Sequence, residues 1–231
     1  MFSYKTPADF DHMGANAGLL KLDPSAEGPQ VVVTRYSGGA HCCTSTWIVT
    51  KPRGSAAWTI VDAGSVDGGG YGFEDLNGDG SLEMTGVDNA FLYAFDSYAG
   101  SMAPQKIYQL RGGALKDVTN DPGFLPQAKQ DLASIEFNAK LGNDLWHANG
   151  FLAAWVAKKI QLGEGDAAWS KAITLYDRKS EFGPQVCATG QEIADCPADK
   201  LKAVPFPKAL AQFLRDNGYG PLPAAAQRTL Q

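Results

Sequence analysis

The sequence predicts an α+β protein with an antiparallel, meander-type sheet in its first half and helices in its second. Three observations carry this. β-branched runs alternate with glycine and proline turns as far as Val118; apolar residues take helical spacing after Asp121-Pro122-Gly123; and the two patterns do not interleave as βαβ units would. The expected division is therefore 1–121, mainly antiparallel strands, and 122–231, mainly helices. Each helix carries one apolar face, so the helices are expected to pack on the sheet as one composite domain.

The strands are read in order. Gln30 to Tyr36 is rich in valine, Ser37-Gly38-Gly39-Ala40 interrupts it, Thr44 to Thr50 resumes, and Ala57 to Val61 follows the turn Pro52-Arg53-Gly54-Ser55. After Gly68-Gly69-Gly70, Phe73 leads into a polar loop and Leu82 to Val87 leads out. Phe91 to Phe95 reads as a further strand, and Gln105 to Leu110 forms a hairpin with Ala114 to Val118 across Arg111-Gly112-Gly113.

In the second half, Leu145 to Leu162 sets Leu145, Ala148, Leu152, Trp155, Val156 and Ile160 near one helical face, with Gly163 as a stop. Asp166 is placed to cap a following helix carrying Trp169, Ile173 and Tyr176. Pro207 suits the first turn of a last helix with Leu210, Phe213 and Leu214 as its stripe and Asn217-Gly218 as its end; from Pro221 onward the tail reads as loose.

Composition excludes several functions. A net charge of −5 and a pI near 5.2, without a dense Lys/Arg cluster, leave no electrostatic footprint for nucleic acid. No apolar run approaches the roughly 20 residues a membrane-spanning helix requires, Phe151 to Ala157 being the longest. No glycine-rich nucleotide loop and no Ser/His/Asp motif is present. Met1-Phe2-Ser3-Tyr4 lacks a secretory leader, which fits a cytosolic protein or a mature exported domain. Four cysteines favour the latter, an oxidising periplasmic or extracellular setting; Cys187 and Cys196 bracket a loop that a local disulfide could close, while three pairings are possible in all.

FEDLNGDGSLEM, residues 73 to 84, carries the strongest chemistry. Calcium needs six or more oxygens, and Asp75, Asn77 and Asp79 alternate so that all three side chains can point inward. Gly80 allows the turn, Ser81 can offer its carbonyl, and Glu83 can close the site directly or through water. Counted from Asp75, the glutamate that an EF-hand needs at its last position, the end of 75–86, is replaced by Gly86, which argues against a helix-loop-helix switch. Phe73, Asp75, Asn77, Asp79, Gly80 and Glu83 instead resemble the calcium loops of FG-GAP repeats, the blades of integrin-type β-propellers. The resemblance implies a loop joining two strands around a structural Ca2+. Only one such loop occurs, whereas a propeller needs four or more blades. The stretch SGGAHCC is also similar to segments of uncharacterised secreted bacterial proteins with a calcium-type loop downstream.

A second candidate is His41-Cys42-Cys43, after Gly38-Gly39. A cysteine near a histidine can serve as a thiolate nucleophile, a redox centre or a soft-metal ligand. Read as a strand, His41 and Cys43 would share a face. The structural alternative is buried thiols, or a disulfide from Cys42 or Cys43 to Cys187 or Cys196 that staples the sheet to the C-terminal region. His12, and His147 with Asp144 three residues before it, read as surface or packed residues. Trp47, Trp58, Trp146, Trp155 and Trp169 read as core rather than as a sugar-binding groove. The function expected is a secreted or periplasmic calcium-stabilised protein that binds a protein or glycan ligand; the alternative is a thiol-dependent hydrolase or redox enzyme built on His41, Cys42 and Cys43.

Overall fold

The structure, a computed structural model, describes residues 15–141 and 144–231; His12 lies outside them. The fold is α+β, with antiparallel sheets in the N-terminal half and helices in the C-terminal half. The chain forms two compact units. One takes in the chain to Val87 together with Gln105–Phe124, and the other takes in Asp88–Pro104 and Leu125–Gln231.

The first unit holds two four-stranded antiparallel meanders. β1 (Ala15–Leu20), β2 (Gln30–Tyr36), β3 (Thr44–Thr50) and β4 (Thr59–Val66) make one, in that order, and β5 (Gly72–Glu74), β6 (Glu83–Val87), β7 (Gln105–Arg111) and β8 (Ala114–Asp117) make the other. β3 is central and shows the alternation that a sheet with one covered face requires: Thr44, Thr46, Ile48 and Thr50 are buried. Leu22, Val32, Ile48 and Ala63 share one core with Met84 and Leu110 of the second sheet. The β7–β8 turn has φ of +60° at Gly112 and +78° at Gly113, which the tightest hairpins need and which glycine supplies without strain. β1 is not legible in the sequence because ANAGLL has weak strand propensity; it forms by pairing residue for residue with β2.

Two buried polar residues hold the β1–β2 connection. The Gln30 side chain accepts from the Leu22 and Asp23 backbone N–H groups at 2.7 and 2.9 Å and donates to the Gly28 carbonyl at 2.8 Å. Asp23 accepts from the Ser25 backbone and hydroxyl and, across the unit, from the Gly113 N–H at 3.2 Å. Burial pushes the Asp23 carboxyl up, but the hydrogen bonds from Ser25, Gly113 and Gly112 outweigh it and hold the group below its ordinary value of 3.8. Asp117 is likewise held low: burial opposes, while the Thr119 hydroxyl and N–H and the Lys106 ammonium prevail.

The second unit has its own core. Its helices are α1 (Leu125–Asn138), α2 (Asn149–Gln161), α3 (Gly165–Leu175), α4 (Phe206–Asp216) and α5 (Ala224–Arg228), with a short hairpin of β9 (Gln185–Cys187) and β10 (Leu201–Ala203). α2 has no solvent face over most of its length, Asn149 to Lys158 being buried throughout, so the single apolar stripe expected for it is replaced by burial on all sides. A Cβ on Gly150 would stand 2.5 Å from the Gly100 carbonyl, which admits the Asp88–Pro104 segment against the helix. Phe91 to Phe95, expected as a strand, is a 3-10 turn and bends. Phe91 packs edge-on against Phe213 and Tyr219, and Phe95 against Phe206 and Phe213, with ring centroids 4.8 to 5.4 Å apart. Burying these rings outweighs the local β preference.

Other boundaries shift for identifiable reasons. Leu145–His147 is a 3-10 turn separate from α2; α3 begins at Gly165, so Asp166 lies inside its first turn and does not cap it. The Pro221 tail is ordered, because Ala226 of α5 is completely buried in the core. Gly163 and Gly218 end α2 and α4 with positive φ, as expected. Cys187 and Cys196 form a disulfide with a Cα separation of 5.7 Å, and closing so short a loop stabilises the unit by about 2.7 kcal/mol in the chain-entropy account.

Lys158 of α2 has a side chain only 2% exposed and pairs with Asp131 of α1 at 2.8 Å. Replacing Asp131 by Ala takes the charged partner from a buried ammonium and is expected to cost about 3–5 kcal/mol in chemical denaturation, whereas the apolar double variant D131L/K158M recovers most of that loss. In the strand unit, the depressed Asp23 and Asp117 contribute stability above their unfolded values near 3.8, and this is lost as pH falls through the lower folded values. Urea melts between pH 2 and 6 are expected to show that fall, and Asp23→Asn to flatten it.

Candidate metal centre

The FEDLNGDGSLEM loop connects β5 and β6, whose register pairs Glu74 with Glu83. Its turn is wound around one carboxylate. Asp75 Oδ1 accepts from the N–H groups of Gly78 at 2.8 Å and Asp79 at 3.1 Å, and Oδ2 accepts from Gly80 at 2.9 Å. Asn77 Oδ1 accepts from Asp79 N–H at 2.9 Å, and Asp79 Oδ1 from Ser81 N–H at 2.8 Å. Gly78 and Gly80 have φ of +75° and +79°, the left-handed conformation that turns the chain back on itself. Short acidic and amide side chains reach backbone donors two to five residues on, so the sequence makes this loop locally.

Glu83 closes the loop from the strand side. It is completely buried, and its carboxylate accepts from the Leu76 N–H at 2.8 Å and the Gln109 side-chain amide at 2.7 Å, with Asn77 Nδ2 at 3.4 Å. Ser81 is also completely buried, and its hydroxyl has no hydrogen-bond partner among the described residues. Two cations flank the loop. Arg111 NH2 lies 3.0 Å from Asp79 Oδ2, and Lys21 Nζ lies 3.6 Å from where a Cβ on Gly80 would stand. Burial raises the Asp79 carboxyl, but the Ser81 N–H, the Asn77 amide and the Arg111 charge outweigh it, leaving the carboxylate below its ordinary value.

Asp75, Asn77, Asp79, Ser81 and Glu83 are thus brought together in one turn. The loop gathers side-chain and backbone oxygens, an arrangement that suits a hard cation. Gln109 and Arg111 complete its surroundings and are invisible to spacing arguments. They stand far along the chain and reach the loop through the β6–β7 pairing, in which Met84 faces Tyr108.

His41, Cys42 and Cys43 lie in the loop before β3, not in a strand, so the face argument does not apply to them. Cys42 and Cys43 are bonded to each other, and Cys187 pairs with Cys196. This rules out the cross-link between the strand region and the C-terminal region in this structure: each sulfur takes the partner nearest along the chain. It also leaves no free thiol as the nucleophile of a thiol hydrolase. His41 Nδ1 lies 3.1 Å from Asp67 Oδ1, and a carboxylate oxygen of Asp67 and the two sulfurs all fall within 4.8 Å of one another.

His147 is exposed, with Nδ1 2.8 Å from the Leu175 carbonyl and Nε2 3.8 Å from Asp144. Trp169 is completely buried and Trp155 nearly so, as core reading expects, while Trp58 is 48% exposed. The helical unit has an open cavity of about 590 Å3 whose walls include Phe95, Pro184, Val186, Val204 and Phe213, with Tyr93 and Lys208 among its polar groups. No helix among the described residues is long and apolar enough to cross a membrane.

The family described as the sll0997 C-terminal domain matches residues 127–218, within the helical unit. The chain is 40% identical over 220 residues to the uncharacterised protein y4bJ of Sinorhizobium fredii, covering 95% of this chain and 35% of that protein. It is 38% identical over 203 residues to the probable thylakoid lumen protein sll0997 of Synechocystis, covering 87% of this chain and 59% of that one. The chain therefore spans between about a third and three fifths of the length of these relatives. No solved structure matches it significantly.

Proposed function

We propose that this chain is the calcium-braced part of an exported protein, in a periplasmic, lumenal or extracellular compartment, that binds a protein or glycan ligand. The observation that carries the reading is the Asp75 carboxylate, which gathers three backbone N–H groups and curls the loop so that Asn77, Asp79 and the Ser81 carbonyl can follow it around one point. Glu83, held by Gln109, supplies a further oxygen, and water completes a shell of six or more. The FG-GAP resemblance fits a loop between neighbouring strands of a four-stranded meander. The compartment is supported by the disulfides and by the Synechocystis relative's description as a probable thylakoid lumen protein. A binding role draws support from the apolar cavity of the helical unit.

Calcium would replace Arg111 as the positive charge nearest Asp79, bracing the β5–β6 turn without taking part in a reaction. A site on one short loop belongs with extracellular modules, whose dissociation constants are about 10⁻⁴–10⁻³ M. Thermal melts in EGTA and across a calcium titration, with magnesium as control, test this. At about a hundredfold excess over the dissociation constant, calcium is expected to add about 2.7 kcal/mol, read as a rise of several degrees. Absence of a shift, or an equal shift with magnesium, would sink the reading. Asp75→Asn with Asp79→Asn is expected to abolish the response, and Arg111→Gln to move its midpoint to lower calcium, because the guanidinium no longer competes for Asp79.

A further inference from the structure

We propose that the Cys42–Cys43 bond is an exchangeable disulfide, opened by a protein dithiol and closed again by the disulfide form of such a partner, and that Asp67 restrains the rate of opening. The first argument is what this bond cannot do. A cross-link stabilises a fold by restricting the unfolded chain, and its effect grows with the length of chain enclosed. Cys187–Cys196 spans nine positions; Cys42–Cys43 spans one and encloses nothing. A structural role therefore explains the first disulfide and leaves the second without one.

The second argument is presentation. Cys42 is exposed, at the tip of a loop whose backbone is fastened on both sides. Ser37 Oγ accepts from the Cys43 N–H at 2.7 Å and donates to the Cys42 carbonyl, and the Ser37 N–H donates to the Cys43 carbonyl at 2.9 Å. The Gly68 N–H donates to the His41 carbonyl at 2.8 Å, while the Tyr36 hydroxyl donates to the Gly39 carbonyl. A side chain at Gly39 would collide with the Cys42 carbonyl, so the backbone there comes as close as glycine permits. The loop sets the exposed Cys42 beside the half-buried Cys43 on a backbone that these hydrogen bonds fasten.

The third argument is the neighbouring charge. A carboxylate oxygen of Asp67 lies within 4.8 Å of both sulfurs, and Asp67 is itself paired with His41 at 3.1 Å. A carboxylate repels an incoming thiolate and disfavours a departing one. The exchange runs as follows. A thiolate of the partner attacks Cys42 Sγ, the Cys42–Cys43 bond breaks, and Cys43 leaves with the electron pair and takes a proton from solvent. The partner's second thiol loses its proton to solvent and attacks the mixed disulfide, releasing Cys42, which is protonated in turn. The partner loses two electrons and two protons, and the cysteine pair gains both.

The test uses the whole chain, equilibrated in buffers of reduced and oxidised dithiothreitol, trapped with N-ethylmaleimide and read by peptide mass spectrometry. The expected result is a Cys42/Cys43 peptide that gains two maleimides at ratios where Cys187–Cys196 stays closed, and loses them when the ratio is reversed. Reduced thioredoxin is expected to reach the same end point faster than dithiothreitol at equal thiol concentration. In Asp67→Asn the rate of opening should rise several-fold. Two maleimides taken up before any reductant is added would show ordinary thiols and overturn the proposal. So would a bond that opens only together with Cys187–Cys196 in denaturant. An unchanged rate in Asp67→Asn overturns the assignment of Asp67.

Discussion

The strand unit depends on side-chain oxygens that take the place of secondary structure where the chain must turn. Backbone N–H groups in a tight connection have no strand partner, and leaving them unsatisfied in a buried setting costs about as much as the hydrogen bond itself. Gln30 and Asp23 meet that need between β1 and β2, Asp75 and Asp79 between β5 and β6, and Thr119 at the end of β8, where its hydroxyl accepts from the Ile107 N–H at 2.9 Å. Because the acceptors are mostly carboxylates, the same choice that makes the turns also gathers negative charge, and the Asp75 loop gathers enough of it, beside Glu83, to suit a cation.

The helical unit is organised differently. α2 is enclosed by its neighbours, and part of the enclosure comes from Asp88–Pro104, a segment that leaves the second sheet between β6 and β7. Asp88 anchors it, accepting from the Ala90 N–H at 3.1 Å and from the Tyr219 hydroxyl at 2.7 Å. The aromatic rings of Phe91 and Phe95 then fill the space over α4, with geometry that favours the edges of their partners. Lys158 is a fully buried ammonium, tolerated because Asp131 and Gln161 meet it.

Two loops of the strand unit thus carry the chemistry, and they differ in kind. The Asp75 loop presents hard oxygens that hydrogen-bond the backbone, a set matched to a hard cation and to stability. The Cys42 loop presents soft sulfur at the surface, beside a carboxylate, on a backbone that hydrogen bonds already hold. On the two proposed readings, bracing and exchange would place opposite demands on a site, the first on permanence and the second on access, and the two loops would divide them.

The α+β class, the strands β2, β3 and β6, the β7–β8 hairpin, the helix stops at Gly163 and Gly218 and the composition of the Asp75 loop were determined by the sequence alone. Each is a local matter: alternation along a strand, a glycine at positive φ, an acidic side chain reaching an N–H a few residues away. Tertiary structure decided the rest. It recruited ANAGLL as a strand by pairing, turned Phe91 to Phe95 from a strand candidate into a packed bend, buried α2 on all sides, ordered the tail through Ala226, and brought Gln109 and Arg111 to the Asp75 loop. In each of these the deciding partner is distant in sequence, and the free energy of burying or pairing with it exceeds the few tenths of a kcal/mol by which local propensity separates one conformation from another.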